Sequence, residues 1–380
     1  MGSNVFQSLG ALGGNYTNWI IPFLFTLTVI VFFHELGHFL VARLCGIRVL
    51  VFSIGFGPEL VGFNDRSGTR WKISAIPLGG YVKFFGDENE ASVPDTSTLA
   101  AMTADERGQS FPGQPVRARA AVVAAGPIAN FILAIVIFAA TFMIFGKPVV
   151  VDGKPVVLPR IASIQPGSAA ASAGFAIRDR VVSIDGSRID SFGDIQRIVS
   201  ASAGRGLTFE VDRDGSRTTI NAAPIEKDHK WVLGITGDVE IEPVGLVEAV
   251  SSGAERTWRI VEMTMVYLGD VVVGRQSAEQ IGGVIKIAQI SGEVARIGLD
   301  AVFNLIAVLS VSIGLLNLFP IPLLDGGHLL FYSIEAVRGR PLSERAQEVG
   351  FRIGLAIVVM LMLFATFNDL RSLFPSISGS

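Results

Sequence analysis

Three ionisable residues interrupt an apolar stretch near the start of the chain. His34 and His38 are four residues apart, Glu35 lies between them, and residues 20–33 upstream carry no charge. On a helix, residues at this spacing lie one turn apart on the same face, so both imidazoles can reach one metal ion. This motif typically binds zinc, with the glutamate as general base. Because ionisable groups inside a membrane span are costly and mark functional sites, we predict a zinc centre here.

A third zinc ligand is expected, because catalytic zinc commonly takes three protein ligands and leaves a fourth position open. The apolar run 301–324 contains two prolines near its end, and Asp325 and His328 follow it. The prolines predict a break in the helix, which would leave Asp325 free of helical constraint. We favour Asp325 because two histidines with one carboxylate form a well-attested zinc site, and His328 is the alternative. His229 stands in a polar segment and is expected to be solvated.

Four apolar segments would position these residues in a membrane. Half of the 380 residues are hydrophobic and only 17% are charged, which is typical of a membrane protein with some soluble mass. The segments that predict transmembrane helices are about 19–44, 120–146, 301–324 and 353–367. The first and third would run in the same direction, so the two histidines and Asp325 would reach a similar depth.

Charge and cysteine usage exclude several classes of protein. The net charge of −3 gives no indication of a nucleic-acid surface. The single cysteine, Cys45, excludes an internal disulfide and a cysteine-based metal site. The absence of a cysteine framework is consistent with a bacterial inner membrane.

Lysine and arginine residues predict the orientation. Residues 1–18 contain none, whereas such residues follow the first span and separate the third from the fourth. By the positive-inside rule, these loops are cytoplasmic and both termini are periplasmic. The segment 147–300 would also be periplasmic, and the metal site would lie near the cytoplasmic side.

The chain is predicted to divide into four parts. Residues 1–156 form a membrane core with the first two spans and a β-hairpin over 69–84 that bends at Pro77 and Gly79–Gly80, followed by a loop over 87–114. Short strands and two helices over 157–241 predict a compact α+β module. Residues 242–300 read as an amphipathic connector, and 301–380 contain the last two spans.

These motifs together resemble the site-2 protease family of intramembrane zinc metalloproteases, in its bacterial form with one PDZ domain. The resemblance rests on HELGH at 34–38, GGYVKF at 79–84, NLFPIPLLDGGH at 317–328 and the PDZ-like module. It covers essentially the whole chain. The implied fold is a polytopic α-helical membrane protein of about four transmembrane helices, with a membrane-associated β-hairpin and an inserted α+β PDZ domain.

The resemblance also implies roles for individual residues. One zinc ion per chain would be held by His34, His38 and Asp325, and Glu35 would activate water. Asn317 would bind unwound substrate or steady the intermediate. The hairpin would hold substrate as an added strand, through Gly79, Gly80, Tyr81, Val82, Lys83 and Phe84. A purely structural hairpin is the alternative, and the family resemblance favours substrate binding.

The implied activity is cleavage of single-pass membrane proteins within the lipid bilayer after a first external cut. Anti-sigma factors, regulators and remnant signal peptides are the expected substrates. The PDZ domain would bind a trimmed peptide end or exclude bulky substrate ectodomains, and we favour exclusion. The alternative function is a catalytically silent PDZ-bearing scaffold with a vestigial metal site, against which the intact Glu35 argues. A metal transporter is disfavoured, because one motif and one aspartate give no ladder of sites.

Overall fold

The protein, whose structure is a computed structural model, forms two compact units. The first joins Met1–Thr141 with Val247–Ser380, and the second is Phe142–Leu246. The described residues are 16–87, 102–151, 154–227 and 230–373. Residues 88–101 of the predicted loop over 87–114, both chain ends and His229 lie outside them, so the periplasmic position of the ends and the solvated setting of His229 stay predictions. The described part of that loop is not irregular throughout, because it contains the short helix Ala104–Gln109.

Helices dominate the first unit. In chain order, the α-helices of the described residues in both units are α1 (Tyr16–Leu44), α2 (Ala104–Gln109), α3 (Val116–Phe145), α4 (Ala169–Ala173), α5 (Phe192–Ala201), α6 (Leu246–Val272), α7 (Val284–Ile297), α8 (Leu299–Asn317), α9 (Asp325–Arg338) and α10 (Glu344–Leu373). By length and composition, α1, α3, α8 and α10 can cross a membrane. The four predicted spans are therefore present as apolar helices, and the fourth is longer than its uncharged core suggested.

The third span ends earlier than predicted, and a new helix begins at Asp325. Helix α8 stops at Asn317, because the prolines that follow cannot continue the helical hydrogen bonds. The chain then turns through Leu323, whose φ is +104°, before α9 starts. The expectation that Asp325 is free of helical constraint is thus wrong. It is the first residue of α9, and the N–H groups of Gly327 and His328 donate to the carbonyl of Leu324.

A sheet of two long, bent, antiparallel strands follows α1. These are β1 (Val49–Asn64) and β2 (Arg70–Phe84). The turn between them is held by Asp65, whose side chain accepts hydrogen bonds from the N–H groups of Ser67 and Thr69. The predicted hairpin within 69–84 is therefore wrong, because those residues form one strand of a wider sheet.

The register shows which segments lie side by side. Residues 51–54 of β1 pair with residues 80–83 of β2 on one side and with residues 70–73 on the other. The two arms of the predicted hairpin therefore flank β1 and do not pair with each other. Among the described residues, 80–83 have strand partners on one side only, so they form an edge of the sheet. All three segments carry strand-forming residues, and alternation alone cannot reveal which one is central.

Helices α6 and α7 occupy the predicted connector, and neither meets the criteria for a span in the described chain. Helix α6 packs on α3 at Gly253. The Cα of Gly253 approaches the backbone of α3 so closely that an added Cβ would lie 2.8 Å from the carbonyl oxygen of Ile135. Arg256 donates to Asn304 Oδ1 of α8 at 2.9 Å, so the connector is tied to two of the apolar helices.

The second unit is built around one sheet. The remaining strands are β3 (Lys147–Pro148), β4 (Val150–Val151), β5 (Lys154–Pro155), β6 (Val157–Ile164), β7 (Arg180–Ile184), β8 (Ser187–Arg188), β9 (Leu207–Arg213), β10 (Ser216–Ala222), β11 (Ile225–Lys227), β12 (Lys230–Val232), β13 (Ile235–Val239) and β14 (Ile241–Glu242). The sheet order is β10-β9-β7-β6-β13, with β8 beside β7. Apolar residues of these strands and of α4 and α5 form one buried cluster. The short strands and both helices predicted from the sequence are present.

Candidate metal centre

Helix α1 brings the two histidines together, and α9 adds the aspartate. His34 and His38 lie one turn apart, and their Nε2 atoms are 3.2 Å from each other. Asp325 Oδ2 is 3.2 Å from His34 Nε2, and Asp325 Oδ1 is 3.7 Å from His38 Nε2. One ligand atom from each of the three residues lies within 4.8 Å of the others. The three side chains are 11–17% exposed, so the cluster is largely withdrawn from solvent.

The spacing of these atoms is compatible with a zinc ion. Four-coordinate zinc with bonds of ~2.0–2.2 Å has ligand atoms about 3.3–3.6 Å apart. The observed distances of 3.2, 3.2 and 3.7 Å lie close to that range. Asp325 Oδ2 is buried and has no hydrogen-bond partner of acceptable geometry among the described residues. A buried carboxylate whose oxygens lie near two imidazoles, one of them without a donor, fits a cation between the three side chains.

Helix α3 lies behind both histidines. His38 Nδ1 is 2.8 Å from the carbonyl oxygen of Val122, and Asn130 Nδ2 is 3.2 Å from His34 Nδ1. Between them, Gly126 lies against the rings of both histidines, and an added Cβ there would collide with His38. Sequence reasoning missed these three positions. Part of this could have been inferred from the sequence. Asn130 is the strongest polar group in the apolar run 120–146, and Gly126 lies one helical turn before it.

A buried ion pair fixes α9 against α3. Arg119 Nη2 donates to Glu335 Oε1 at 2.6 Å, and the Arg119 guanidinium carbon lies 4.9 Å from the centre of the Tyr332 ring. The side chains of the ion pair are only 9% and 12% exposed. Asp325, Tyr332 and Glu335 are spaced by seven and three residues, so they share one face of α9. The contact with Arg119 therefore lies about 15 Å along the helix from Asp325.

The alternative ligand His328 is packed elsewhere. Its ring centre is 5.5 Å from that of Phe351 and 6.5 Å from that of Tyr332. Asn317 is the half-buried last residue of α8. In the part of the chain that the structure describes, the Asn317 side chain has no hydrogen bond to His34, His38 or Asp325. Of the two candidate third ligands, Asp325 is the one whose side chain converges with the histidines.

The edge segment of β2 lies beside Glu35. Gly80 packs against α1 so closely that an added Cβ would be 3.0 Å from Glu35 Cγ and 2.9 Å from Val31 Cγ1. Gly79 has a φ of +157°, and the ring of Phe56 fills the space where its side chain would be. The residues Gly79, Gly80, Tyr81, Val82, Lys83 and Phe84 thus belong to the strand that runs past the glutamate.

Comparisons with known proteins bear on the whole chain. The profile of peptidase family M50 matches residues 22–361. A protein of Agrobacterium fabrum named as a candidate zinc metalloprotease is 49% identical, over 97% of this chain and 99% of its own. The metalloprotease MmpA of Caulobacter vibrioides is 39% identical, over 93% of this chain and 95% of its own.

One solved structure resembles part of the chain. It is the PDZ domain of an SdrC-like protein from Listeria monocytogenes, which is 18% identical and covers 24% of this chain and 93% of its own. The TM-score of 0.19 is too low to support an argument about the fold. The identification of the second unit as a PDZ domain therefore stays a prediction.

Proposed function

The chain belongs to peptidase family M50 and is a zinc metalloendopeptidase, and from this premise we propose that it cuts single-pass membrane proteins within the membrane. The observation that carries the proposal is the convergence of His34 and His38 on the apolar helix α1 with Asp325 at the start of α9, within 4.8 Å. The match to the family and to metalloproteases over nearly the whole chain supports it.

We assign the zinc ligands to His34, His38 and Asp325. When bound there, zinc polarises the scissile carbonyl and makes water a stronger nucleophile near neutral pH. Glu35 follows His34 directly in α1, and its carboxylate would take the proton from the attacking water. The same carboxyl group would then deliver that proton to the leaving amine nitrogen. Asn317 stands at the end of α8 as a candidate for holding unwound substrate.

The edge of β2 is proposed to hold the substrate in extended form. A helical substrate hides its carbonyl groups in internal hydrogen bonds, and pairing with a free strand edge would expose them. Residues 80–83 have such an edge, and Gly80 brings the strand next to Glu35.

Proline at the edge tests this role. We expect Val82→Pro to reduce turnover sharply while the zinc content stays unchanged, because proline lacks the N–H that a paired strand donates. Val61→Pro is the control, since Val61 is an exposed valine in residues 61–64, which pair only with residues 70–73 and so form the opposite edge of the sheet. Equal losses at the two positions, or undiminished turnover in Val82→Pro, would rule out substrate pairing at this edge.

The second unit is proposed to be a periplasmic PDZ-like domain that excludes bulky substrate ectodomains. It has a cavity of about 460 Å³ beside α5 and β12, of a size that takes a peptide segment. The cavity is lined mainly by apolar side chains, among them Phe192, Ile195, Val199, Trp231, Leu233 and Ile235. Deletion of 157–241 should allow cleavage of substrates that have not been trimmed. If such substrates stay intact, the exclusion role is wrong.

The proposed activity is tested by reconstitution. The full-length protein would be placed in vesicles with a labelled single-span protein, and the products would be mapped by mass spectrometry. We expect a cut inside the apolar span, its loss on treatment with a chelator, and its return when zinc is added. A metal-loaded protein that leaves several trimmed single-span proteins intact would favour the scaffold alternative.

A further inference from the structure

The side-chain amide of Asn130 has unequal surroundings at its two ends. The residue is fully buried in α3. Its Nδ2 lies 3.2 Å from His34 Nδ1, whereas its Oδ1 is buried and has no hydrogen-bond partner among the described residues. A buried acceptor without a donor is unfavourable, and nearly all such groups in proteins are paired. This arrangement therefore needs a physical explanation.

The protonation of a zinc-bound histidine supplies one. His34 presents Nε2 to His38 and Asp325, so a metal ion would be bound through Nε2. A neutral imidazole that binds metal through Nε2 carries its proton on Nδ1, and Nδ1 is then a donor. The Asn130 amide group would in that case oppose an N–H with its own NH₂. A half-turn of the amide exchanges oxygen and nitrogen with almost no change in shape.

The half-turn removes the opposition of two N–H groups and gives the buried oxygen a donor. Asn130 Oδ1 then accepts the proton of His34 Nδ1, and the NH₂ group takes the former place of the oxygen. The arrangement also matches that at the second histidine, where Nδ1 of His38 is 2.8 Å from the carbonyl oxygen of Val122. Val122, Gly126 and Asn130 are spaced by four residues, so one face of α3 meets both rings.

We infer that Asn130 is a positioning residue whose Oδ1 accepts a hydrogen bond from His34 Nδ1, and that α3 thereby fixes the tautomer of both histidines. This inference rests on the proposed zinc site. Val122 contributes a carbonyl oxygen, Gly126 leaves space for the rings, and Asn130 contributes the second acceptor. With both Nδ1 protons engaged by α3, both Nε2 atoms are left without protons and directed to the same point.

Two substitutions separate an acceptor role from a donor role. Asn130→Leu keeps a similar volume and removes both, whereas Asn130→Asp keeps an acceptor oxygen and removes the donor. The measured quantity is the apparent Kd for zinc of the purified full-length protein, by competition with a chromophoric chelator. We expect Asn130→Leu to weaken binding by ~10–100-fold, the usual effect of removing a ligand's hydrogen-bond partner. We expect Asn130→Asp to bind within about threefold of the wild type, or more tightly.

Equal weakening in both variants would overturn the inference, because it would mean that the NH₂ group matters. Unchanged affinity in Asn130→Leu would also overturn it. Thr26→Val is the matched control. Thr26 lies on α1, and its buried hydroxyl has no hydrogen-bond partner among the described residues. The zinc affinity of this variant should equal that of the wild type. Thermal unfolding of each metal-free variant shows whether the fold is retained.

A direct measurement covers the case in which the aspartate variant does not fold. In wild-type protein with ¹⁵N-labelled histidine and bound zinc, NMR should show a protonated Nδ1 on His34. An unprotonated Nδ1 would overturn the inference. Failure of the zinc site itself gives a different result: the wild type would then bind zinc no better than a His34→Ala, His38→Ala double variant, and both proposals would fall together.

Discussion

Buried polar groups serve different purposes in the two units of this protein. In the second unit, Ser168 and Asp179 have their partners within that unit: Ser168 accepts the N–H of Ala171, and Asp179 accepts from the N–H of Ala176 and from the Arg213 guanidinium. In the first unit, His38, Asn130 and Asp325 come from three helices that are far apart in the sequence. Buried polar groups that have hydrogen-bond partners stabilise a fold. Buried polar groups that converge on one point without such partners are costly unless they bind a ligand.

This contrast yields predictions for each kind of group. Removal of a polar side chain at the metal centre should affect metal binding more than stability. Removal of a hydrogen-bonded polar side chain in the second unit should affect stability alone. The apolar cluster of the second unit should tolerate changes at the metal centre, because its residues all belong to that unit.

The largest effect is expected at Asp325. Asp325→Ala removes one of three proposed ligands, so zinc affinity should fall by more than the ~10–100-fold that loss of a supporting partner costs. Bound zinc, measured by atomic emission after dialysis, should approach background, and cleavage should disappear with it. His328→Ala is the control, and it should retain the metal. Retention by Asp325→Ala together with loss by His328→Ala would assign the third ligand to His328.

The next effect is expected at Arg119, whose buried ion pair with Glu335 holds α9, the helix that begins with Asp325. Arg119→Met leaves Glu335 buried without its partner, which typically costs about 3–5 kcal/mol of stability. Arg352→Met is the control, because Arg352 and Glu348 form an exposed pair whose loss should cost less than about 1 kcal/mol. Chemical unfolding in detergent measures both. A similar small loss in the two variants would mean that the Arg119 contact does not fix α9.

The smallest effect is expected in the second unit and depends on pH. Burial works to raise the pKa of Asp179, but the Arg213 guanidinium and the Ala176 N–H hold that pKa below its ordinary value. Because the pKa is lower in the folded state, the stabilisation is complete above about pH 4 and is lost as the pH falls further.

Hydrogen exchange of β7 and β9 in the full-length protein measures this loss. Protection of the wild type should fall as the solution is made acidic, whereas Asp179→Asn should start lower and show little of this change. Zinc content near neutral pH should be the same for both proteins. A variant that loses protection in parallel with the wild type would show that another group controls the acid response.

Features determined by local sequence were predicted well. The four apolar helices follow from run length, and the strands and helices of the second unit follow from turn residues and short-range alternation. The convergence of His34, His38 and Asp325 was also anticipated, because depth in a membrane restricts which residues can meet.

Features that depend on pairing between distant segments were not predicted. Residues 51–54 separate the two arms of the expected hairpin, and nothing in 69–84 alone reveals that insertion. The start of α9 at Asp325 requires Gly326 and Gly327, where an added Cβ would collide with carbonyl oxygens of the preceding turn. The contact of Asn130 with His34 joins residues 96 positions apart, so a single sequence could flag the asparagine but not its partner.

The central claim is that Glu35 and the three converging side chains form one hydrolytic centre. It is tested most directly by comparing wild-type and Glu35→Gln protein in vesicles with a single-span substrate, with bound zinc measured on the same samples. We predict equal zinc content in both, a cut inside the span by the wild type, and no cut by Glu35→Gln. Equal cleavage by both proteins at equal zinc content would contradict the assignment of Glu35 as the base.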